Sequence, residues 1–491
     1  MIDLYVCGDM GSSQTKILYQ DAKASEPSYL LMPPHVEQVS AAALNRFFAN
    51  RGWLGVTTPM QQAWITVDKQ HFVVGAFAEE FDPADRLHEL KYENALYKVL
   101  SIIGIIVQTL NLPTSQPLNV KLAVLLPWDE YSDRSRFLDR LQSMVSSFQF
   151  RKQVIQVKLQ QLICRPEGGG LAELWREKMG AEWFDNQKIA VLMFGHRNTS
   201  ALVSDNGSLK LGESPRYGFS VLLDQIMMMK SGLNRDILAA AIFSGMQSAQ
   251  VKRSTHVFAK HPDWQKLDDI RSLATARDNA LKEAEIADII YAINVATADY
   301  WDKIKRWLDR ILPKDLREVI VAGGAAPFLE PELEEYFNCS PHYNSLTNEF
   351  SYYTSRIPSQ HQTDIIWGTN LGKEVDNLLK VKWRQNDIFT HRLVDAFGLF
   401  NFMLLKASEA SQQAAAEAEA RKKAQSEAKK AEAKKKAVAK KAQAKQAPNE
   451  NPSPSVPAQA KQAPDENPSP SVPEPGKQSS SPVEVKENSN G

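Results

Sequence analysis

Across 491 residues, 58 Lys and Arg balance 58 Asp and Glu, and 43% of positions are hydrophobic, which allows more than one packed core and excludes a chain disordered throughout. The balance is uneven: twelve basic against five acidic residues in 406–447 put about +7 there and leave about −7 on the rest, so only the tail has the charge of a nucleic-acid or membrane-surface binder. Three widely spaced cysteines, Cys7, Cys164 and Cys339, argue for reduced, packed thiols and against a disulfide framework or a zinc site.

The chain opens with an apolar run (Ile2, Leu4, Val6), a polar tip of residues 8–16, and a second apolar run (Ile17, Leu18, Tyr19). This pattern predicts a β-hairpin with a glycine-containing tip. Gly11, Ser12 and Ser13 would bring N–H and hydroxyl donors to phosphate oxygens, Lys16 would neutralise their charge, and Asp9 could hold a magnesium ion through its water shell. An ordinary tight turn has the same residues. Asp3 and Asp9 do not suit a secretory signal, and the most apolar helix candidate, 99–110, is too short to span a bilayer, so a cytoplasmic protein without a transmembrane segment is expected.

A second hairpin is predicted over 64–74, a buried helix over 92–110 and a strand over 119–126 that Pro127 ends. A helix over 134–148 and a strand over 154–163 follow. That strand runs into Pro166-Glu167-Gly168-Gly169-Gly170 and a further helix. Glu167 is placed either to project into a cleft with little bulk around it or to cap the helix N-terminus. Residues 188–203 repeat the opening plan, strand, glycine, polar run, strand, with Met193-Phe194-Gly195 where the first copy has Asp9-Met10-Gly11. A third strand at 208–211 completes the meander. Two such hairpins point to a duplicated fold holding a ligand between its halves.

Helical sequence fills 218–246, where the run Met227-Met228-Met229 reads as adaptable core packing, and 283–312. His256 and His261 have no matching metal ligands nearby in sequence. A buried strand at 319–322 leads into Gly323-Gly324-Ala325-Ala326, a turn whose glycines would let backbone lie against a planar ring, and then a helix over 327–336 opened by Pro327. Residues 362–372 read as the start of another helix, and the apolar stretch 397–405 as a segment docked on the body. From 408 to 447 the Ala, Glu, Lys and Gln composition favours a helix without an apolar stripe, hence a solvated one. It is either a spacer or a contact for nucleic acid or anionic membrane. Residues 442–457 recur as 458–473 with Asn449 replaced by Asp465, and this Pro- and Ser-rich composition predicts disorder.

The order and spacing of the Asp-x-Gly hairpin, the Pro-Glu-Gly junction, the second glycine hairpin and the Gly-Gly turn resemble the actin/hexokinase/chaperone nucleotide-binding superfamily. Within it the chain is most similar to the actin-like ATPases of plasmid segregation, the ParM/StbA type. Phe72-Val73-Val74-Gly75-Ala76-Phe77-Ala78 and Pro166-Glu167-Gly168 are similar to segments of that family. The resemblance covers 1–375. It implies an α/β chain with a duplicated actin-like (ribonuclease H-like) fold, domain I over 1–180 and domain II over 181–375 around a nucleotide cleft. A closing apolar segment (376–405), the helix of 406–447 and a disordered tail (448–491) lie beyond.

The same resemblance implies ATP and Mg2+ as ligands. Asp9, Gly11, Ser12, Ser13, Gln14 and Lys16 would form the first phosphate loop, Gly195, Arg197, Asn198 and Thr199 the second, and Gly323, Gly324 and Ala325 the adenosine turn. Glu167 would orient the attacking water, with Asp9 and Lys16 completing the catalytic set and Asp9 holding the metal through water. Self-assembly into filaments that move plasmid DNA or other cargo, through a DNA-binding adaptor, is the implied activity. One departure stands out: Met193 occupies a position where the family carries an acid that helps hold magnesium. A thioether is a poor partner for a hard cation, so slow hydrolysis is expected, with Arg197 partly compensating on phosphate. The alternative is a nucleotide-binding scaffold with little or no ATPase activity that recruits a partner through its tail. A sugar kinase would need a catalytic Asp facing the sugar, for which the sequence offers no convincing candidate.

Overall fold

The computed structural model describes residues 2–50, 57–84, 89–250, 261–337, 339–344, 349–355, 362–379 and 387–444. Strands β1 (Leu4–Met10), β2 (Thr15–Asp21) and β3 (Ser28–Met32) form an antiparallel meander, as alternating apolar runs joined by short polar tips should. Strands β4 (Leu118–Leu126) and β5 (Val157–Pro166) extend it in parallel from the other edge of β1, giving the order β5-β4-β1-β2-β3. Parallel pairing demands a crossover. The helix Lys91–Thr109 leads into β4, and the helix Gly169–Met179 follows β5.

The same plan recurs. Strands β6 (Lys188–Phe194), β7 (Thr199–Asp205) and β8 (Ser208–Glu213) form the second meander, and β9 (Glu318–Ala322) and β10 (Gln362–Trp367) join β6 in parallel on its other side. Here the helix Asn279–Ile311 leads towards β9 and the helix Gly368–Leu379 follows β10. The hairpin Cys339–Asn344 with Glu349–Ser355 widens this sheet beyond β10. A separate five-stranded antiparallel sheet in the first lobe is built from Val36–Val39, Trp64–Val67, Gln70–Val74, Phe148–Phe150 and Gln153–Ile155.

Each lobe has its own core, and a third apolar cluster joins them. It takes Cys7, Leu18, Ala123 and Leu125 from the first sheet, and Val191, Ile320 and Ala322 from the second. Between them sit Val394, Phe397, Leu399, Phe400 and Met403, all buried, from the helix Asp387–Ala444. The apolar segment expected to dock on the body therefore forms part of the core between the lobes. Cys7 and Cys164 are free, buried thiols, and burial pushes Cys164 up to about 12. The side chain of Cys339 lies outside the described residues.

Several expectations are corrected. Residues 362–367 form a strand and the helix begins only at Gly368: Thr363, Ile365 and Ile366 are β-branched, and the strand pairs along β9. The helical stretch 218–246 is two helices, Phe219–Met229 and Arg235–Gln250, parted at a left-handed Gly232. The helix expected from Pro327 starts at Glu330, with Pro331 in its first turn. The strand expected over 154–163 is split at Gln156 between two sheets. Of the methionine run only Met227 packs on the core; Met228 is 86% exposed.

The chain divides into two compact units, Met1–Ala414 and Ala415–Gly491. In the second, the described residues are helical to Ala444 and their side chains are exposed as far as residue 439, as a sequence without an apolar stripe requires. The repeat and the tail beyond 444 lie outside the described residues. Among the described residues no helix is long and apolar enough to cross a membrane.

Candidate functional site

The site forms where the tips of the two hairpins meet. In the first, Asp9 pairs across the strands with Lys16, the last but one register before the tip, so that antiparallel pairing alone sets the two side chains together, and they form a buried ion pair. A second ammonium arrives from elsewhere: Lys91, the first residue of the helix Lys91–Thr109, lies 3.3 Å from Asp9 Oδ1 and ion-pairs with Glu167 Oε1. Burial alone would raise the Asp9 carboxyl, but Lys16 and Lys91 outweigh it and hold it well below the usual carboxylate range. Burial alone would likewise lower Lys91, yet Glu167 and Asp9 keep it firmly protonated. Lys98, seven residues on and so on the same helix face, donates to the Gly11 carbonyl at 3.3 Å. Burial, and then the charge of Lys91, push it down to about 7.

Glu167 does not cap the helix behind it. Its second oxygen accepts from Ser200 Oγ at 3.1 Å, so the carboxylate bridges Lys91 of one lobe and the second hairpin of the other. The capping is done from far along the chain by Asp395, which accepts from the N–H groups of Gly168 at 2.7 Å and Leu171 at 3.1 Å. Burial pushes the Asp395 carboxyl up to about 7 in spite of these bonds. The glycine triplet serves the same contact. A Cβ on Gly170 would stand 1.9 Å from the Asp395 carbonyl oxygen, and one on Gly398 would stand 2.0 Å from that of Gly170, so the two helices cross backbone against backbone.

In the second hairpin Arg197 is buried, and each of its three nitrogens donates one hydrogen bond within the protein. It donates to the Glu89 carbonyl at 2.6 Å, to Asn198 Oδ1 at 2.6 Å, and in an ion pair to Glu130. Asn198 in turn donates to the Ser214 carbonyl at 2.6 Å. Thr199 turns away from the cleft and gives its hydroxyl to the Tyr217 carbonyl at 2.8 Å. The Gly-Gly turn is stitched to the end of β6 by Ala325 N–H donating to Phe194 O at 2.9 Å. Gly323, at φ 103°, lies so close that any Cβ would stand 2.4 Å from that same oxygen. Beside the turn are Phe243 and Arg392, whose guanidinium lies 6.0 Å from the Phe243 ring centre and reaches Gln14 Oε1 at 3.4 Å.

One cleft is thus lined by Asp9, Gly11, Ser12, Ser13, Lys16, Glu167, Met193, Gly195, Arg197, Asn198, Gly323, Gly324 and Ala325, joined by Lys91, His196, Phe219, Phe243 and Arg392. Of the residues expected there, Gln14 touches it only through Arg392, and Thr199 does not line it. The cavity these side chains leave is about 60 Å³, well below the roughly 300 Å³ or more of a small-molecule site, so the lobes would have to part to admit a ligand of nucleotide size. Lys91, Lys98, Glu130, Arg392 and Asp395 are missed by the sequence reading. The one signal for the first two is their seven-residue spacing in an otherwise apolar helix.

Both sheets share one strand order, each offers a glycine hairpin from its first two strands, and the hairpins face each other across a cleft closed by a glycine turn. The fold is actin-like. Neither a protein-family model nor a curated protein matches the chain. Among solved structures it is similar to apo pSK41 ParM (12% identity, 83% of this chain and 99% of that one, TM-score 0.46). It is also similar to an archaeal actin homologue (13%, 84% and 100%, 0.45) and to Bacillus thuringiensis ParM with AMPPNP (11%, 83% and 100%, 0.47).

Magnesium does not suit the residues of this actin-like cleft. A hard dication needs oxygen ligands or waters held by free carboxylate oxygens. Asp9 is engaged by two ammonium groups and both oxygens of Glu167 are taken. Met193 presents sulfur, and among the described residues no group of three or more His, Cys, Asp or Glu could hold a metal ion.

Proposed function

We propose that the protein binds ATP in the cleft between its lobes and assembles with further copies into filaments that move plasmid DNA or other cargo in the cytoplasm, with slow hydrolysis. The observation that carries this reading is the convergence of Ser12, Ser13 and Lys16 from one lobe with Gly195, Arg197 and the Gly323-Gly324-Ala325 turn from the other on a single cleft. Donors on two opposed hairpins suit a polyphosphate held between them, because closing the lobes then adds contacts from both sides at once. Phe243 and Arg392, beside the glycine turn, offer a face and a cation for a planar base. In this reading Glu167 orients the attacking water, and Lys16 neutralises phosphate charge.

A second reading is favoured by one observation: Glu167 is tied to Lys91 and Ser200, and the ammonium beside it makes its carboxylate a weaker base towards water. On that reading the nucleotide is structural and the basic tail recruits a partner.

The deciding experiment measures light scattering and phosphate release by the full chain with ATP over a range of protein concentrations. Filament assembly coupled to turnover predicts that both rise together above a threshold concentration. ATP binding without scattering or phosphate release at any concentration would replace it with the scaffold reading, and absence of ATP binding would remove both.

A further inference from the structure

The cleft holds more positive charge than its carboxylates balance. Lys16, Lys91, Arg197 and Arg392 line it, and Lys98 donates to the carbonyl of Gly11 in its wall. Facing them are Asp9, Glu167 and Glu130, with Asp395 behind Gly168. Lys91 is the member of this set with the most specific placement. Its ammonium bridges Asp9 and Glu167, the two acids that line the cleft, and its side chain is only 8% exposed. It is held there by more than its own charge. Glu130 accepts from the N–H of Tyr92, the next residue, at 3.0 Å, and Glu130 is itself fixed by Arg197.

We propose that the Lys91 ammonium takes the place of the divalent cation in this cleft, so that the protein binds the metal-free form of a nucleoside triphosphate. The inference rests on the nucleotide-binding reading above. An ammonium fixed between two carboxylates offers three donors and one positive charge. When a polyphosphate enters, the ammonium turns part of that charge to phosphate oxygens, Lys16 adds its own, and Lys98 adds charge from behind the Gly11 carbonyl. The site thereby gains the neutralisation a metal would bring without needing the oxygen ligand that Met193 lacks. Met193 and Lys91 then act in the same direction: each would weaken a metal site, and together they make a metal-independent one.

The test is ATP binding to the full chain by calorimetry, with excess EDTA and with excess Mg2+. The dissociation constant is expected to agree between the two within about threefold, a difference under 1 kcal/mol. Lys91→Met should weaken binding in EDTA by about tenfold or more, the effect of losing a charge-assisted hydrogen bond, and Mg2+ should restore part of it because no ammonium then lies between Asp9 and Glu167. Since an uncompensated pair of acids could impair folding, the double variant Lys91→Met/Glu167→Gln, with one charge removed from each side, serves as the folded control. It should keep the wild-type melting temperature and still lose metal-free binding. A readout without nucleotide checks the same point: Mg2+ alone should leave the melting temperature of the wild type unchanged and raise that of Lys91→Met. Wild-type binding that requires Mg2+, or metal-free binding unchanged in both Lys91 variants, overturns the inference and leaves nucleotide binding standing. No ATP binding under either condition removes the nucleotide reading and this inference with it.

Discussion

Arg197, in the second hairpin, forms a buried ion pair with Glu130, in the short helix that follows Pro127 in the first lobe. Both side chains are 7% exposed, and the pair links the two lobes at the floor of the cleft. Breaking a buried pair strands the remaining charge, at a cost of about 3–5 kcal/mol. Glu130→Ala should therefore lower stability by about that much, while Glu130→Gln, which can still accept from Tyr92 N–H and Arg197, should lose distinctly less. Denaturant unfolding of the two variants checks this, and equal stability of Glu130→Ala and wild type would show that the pair does not hold the lobes.

The contrast between Asp9 and Asp395 shows which parts of the site are legible in sequence. Asp9, Lys16 and the hairpin glycines sit a few residues apart, so strand pairing places them without further information. Asp395 acts 227 positions away from Gly168, inside a run of Phe and Leu that reads as plain core. Lys91 and Lys98 carry no signal in sequence beyond their seven-residue spacing in a helix that reads as buried, and only the packing of that helix brings them to the first hairpin. The duplicated meander was legible because both hairpins are local. The strand at 362–367 was not, because its partner β9 lies some forty residues earlier and short apolar runs fit either helix or strand.

Asp395 should make stability depend on pH. Its carboxyl is raised from its ordinary value to about 7 by burial. A raised folded-state value means that its contribution is fully present below the unfolded value, near pH 4, and is lost as pH rises through about 7, on the order of a few kcal/mol. Asp395→Asn mimics the protonated form and should remove this slope. Unfolding free energies across pH 4–8 should converge at the acid end and diverge at the neutral end, the variant being the more stable there. Glu318, also pushed up to about 7 by burial, titrates in both proteins and cancels in the difference.

Lys98 gives a proton-linked signature of anion binding. Burial and Lys91 push it down to about 7, so at pH 8 it is mostly neutral in the free protein. A polyphosphate beside it favours the charged form, and binding should take up a fraction of a proton. Calorimetry at pH 8 in two buffers of different ionisation enthalpy should then give different apparent binding enthalpies, and the difference should shrink in Lys98→Met. The stability sign is opposite to that of Asp395. A lowered lysine contributes most above its unfolded value of 10.5 and loses that contribution as pH falls through about 7.

Met193 sets the rate of hydrolysis in this account. It lines the cleft from the last residue but one of β6, two residues before Gly195, and brings sulfur where a metal would need oxygen. Met193→Asp alone adds an acid but leaves Lys91 across Asp9 and Glu167, so phosphate release from ATP with Mg2+ should rise only modestly. Met193→Asp combined with Lys91→Met supplies the missing oxygens and frees Glu167 to orient water, and release should rise by about tenfold or more over wild type, as positioned acid–base groups usually provide. Single-turnover phosphate release, measured with nucleotide and protein both in excess of their dissociation constant, separates this from any change in affinity. If the double variant is no faster than wild type, the slow step lies elsewhere, in lobe closure or product release, and neither the sulfur at 193 nor the Lys91 bridge limits turnover.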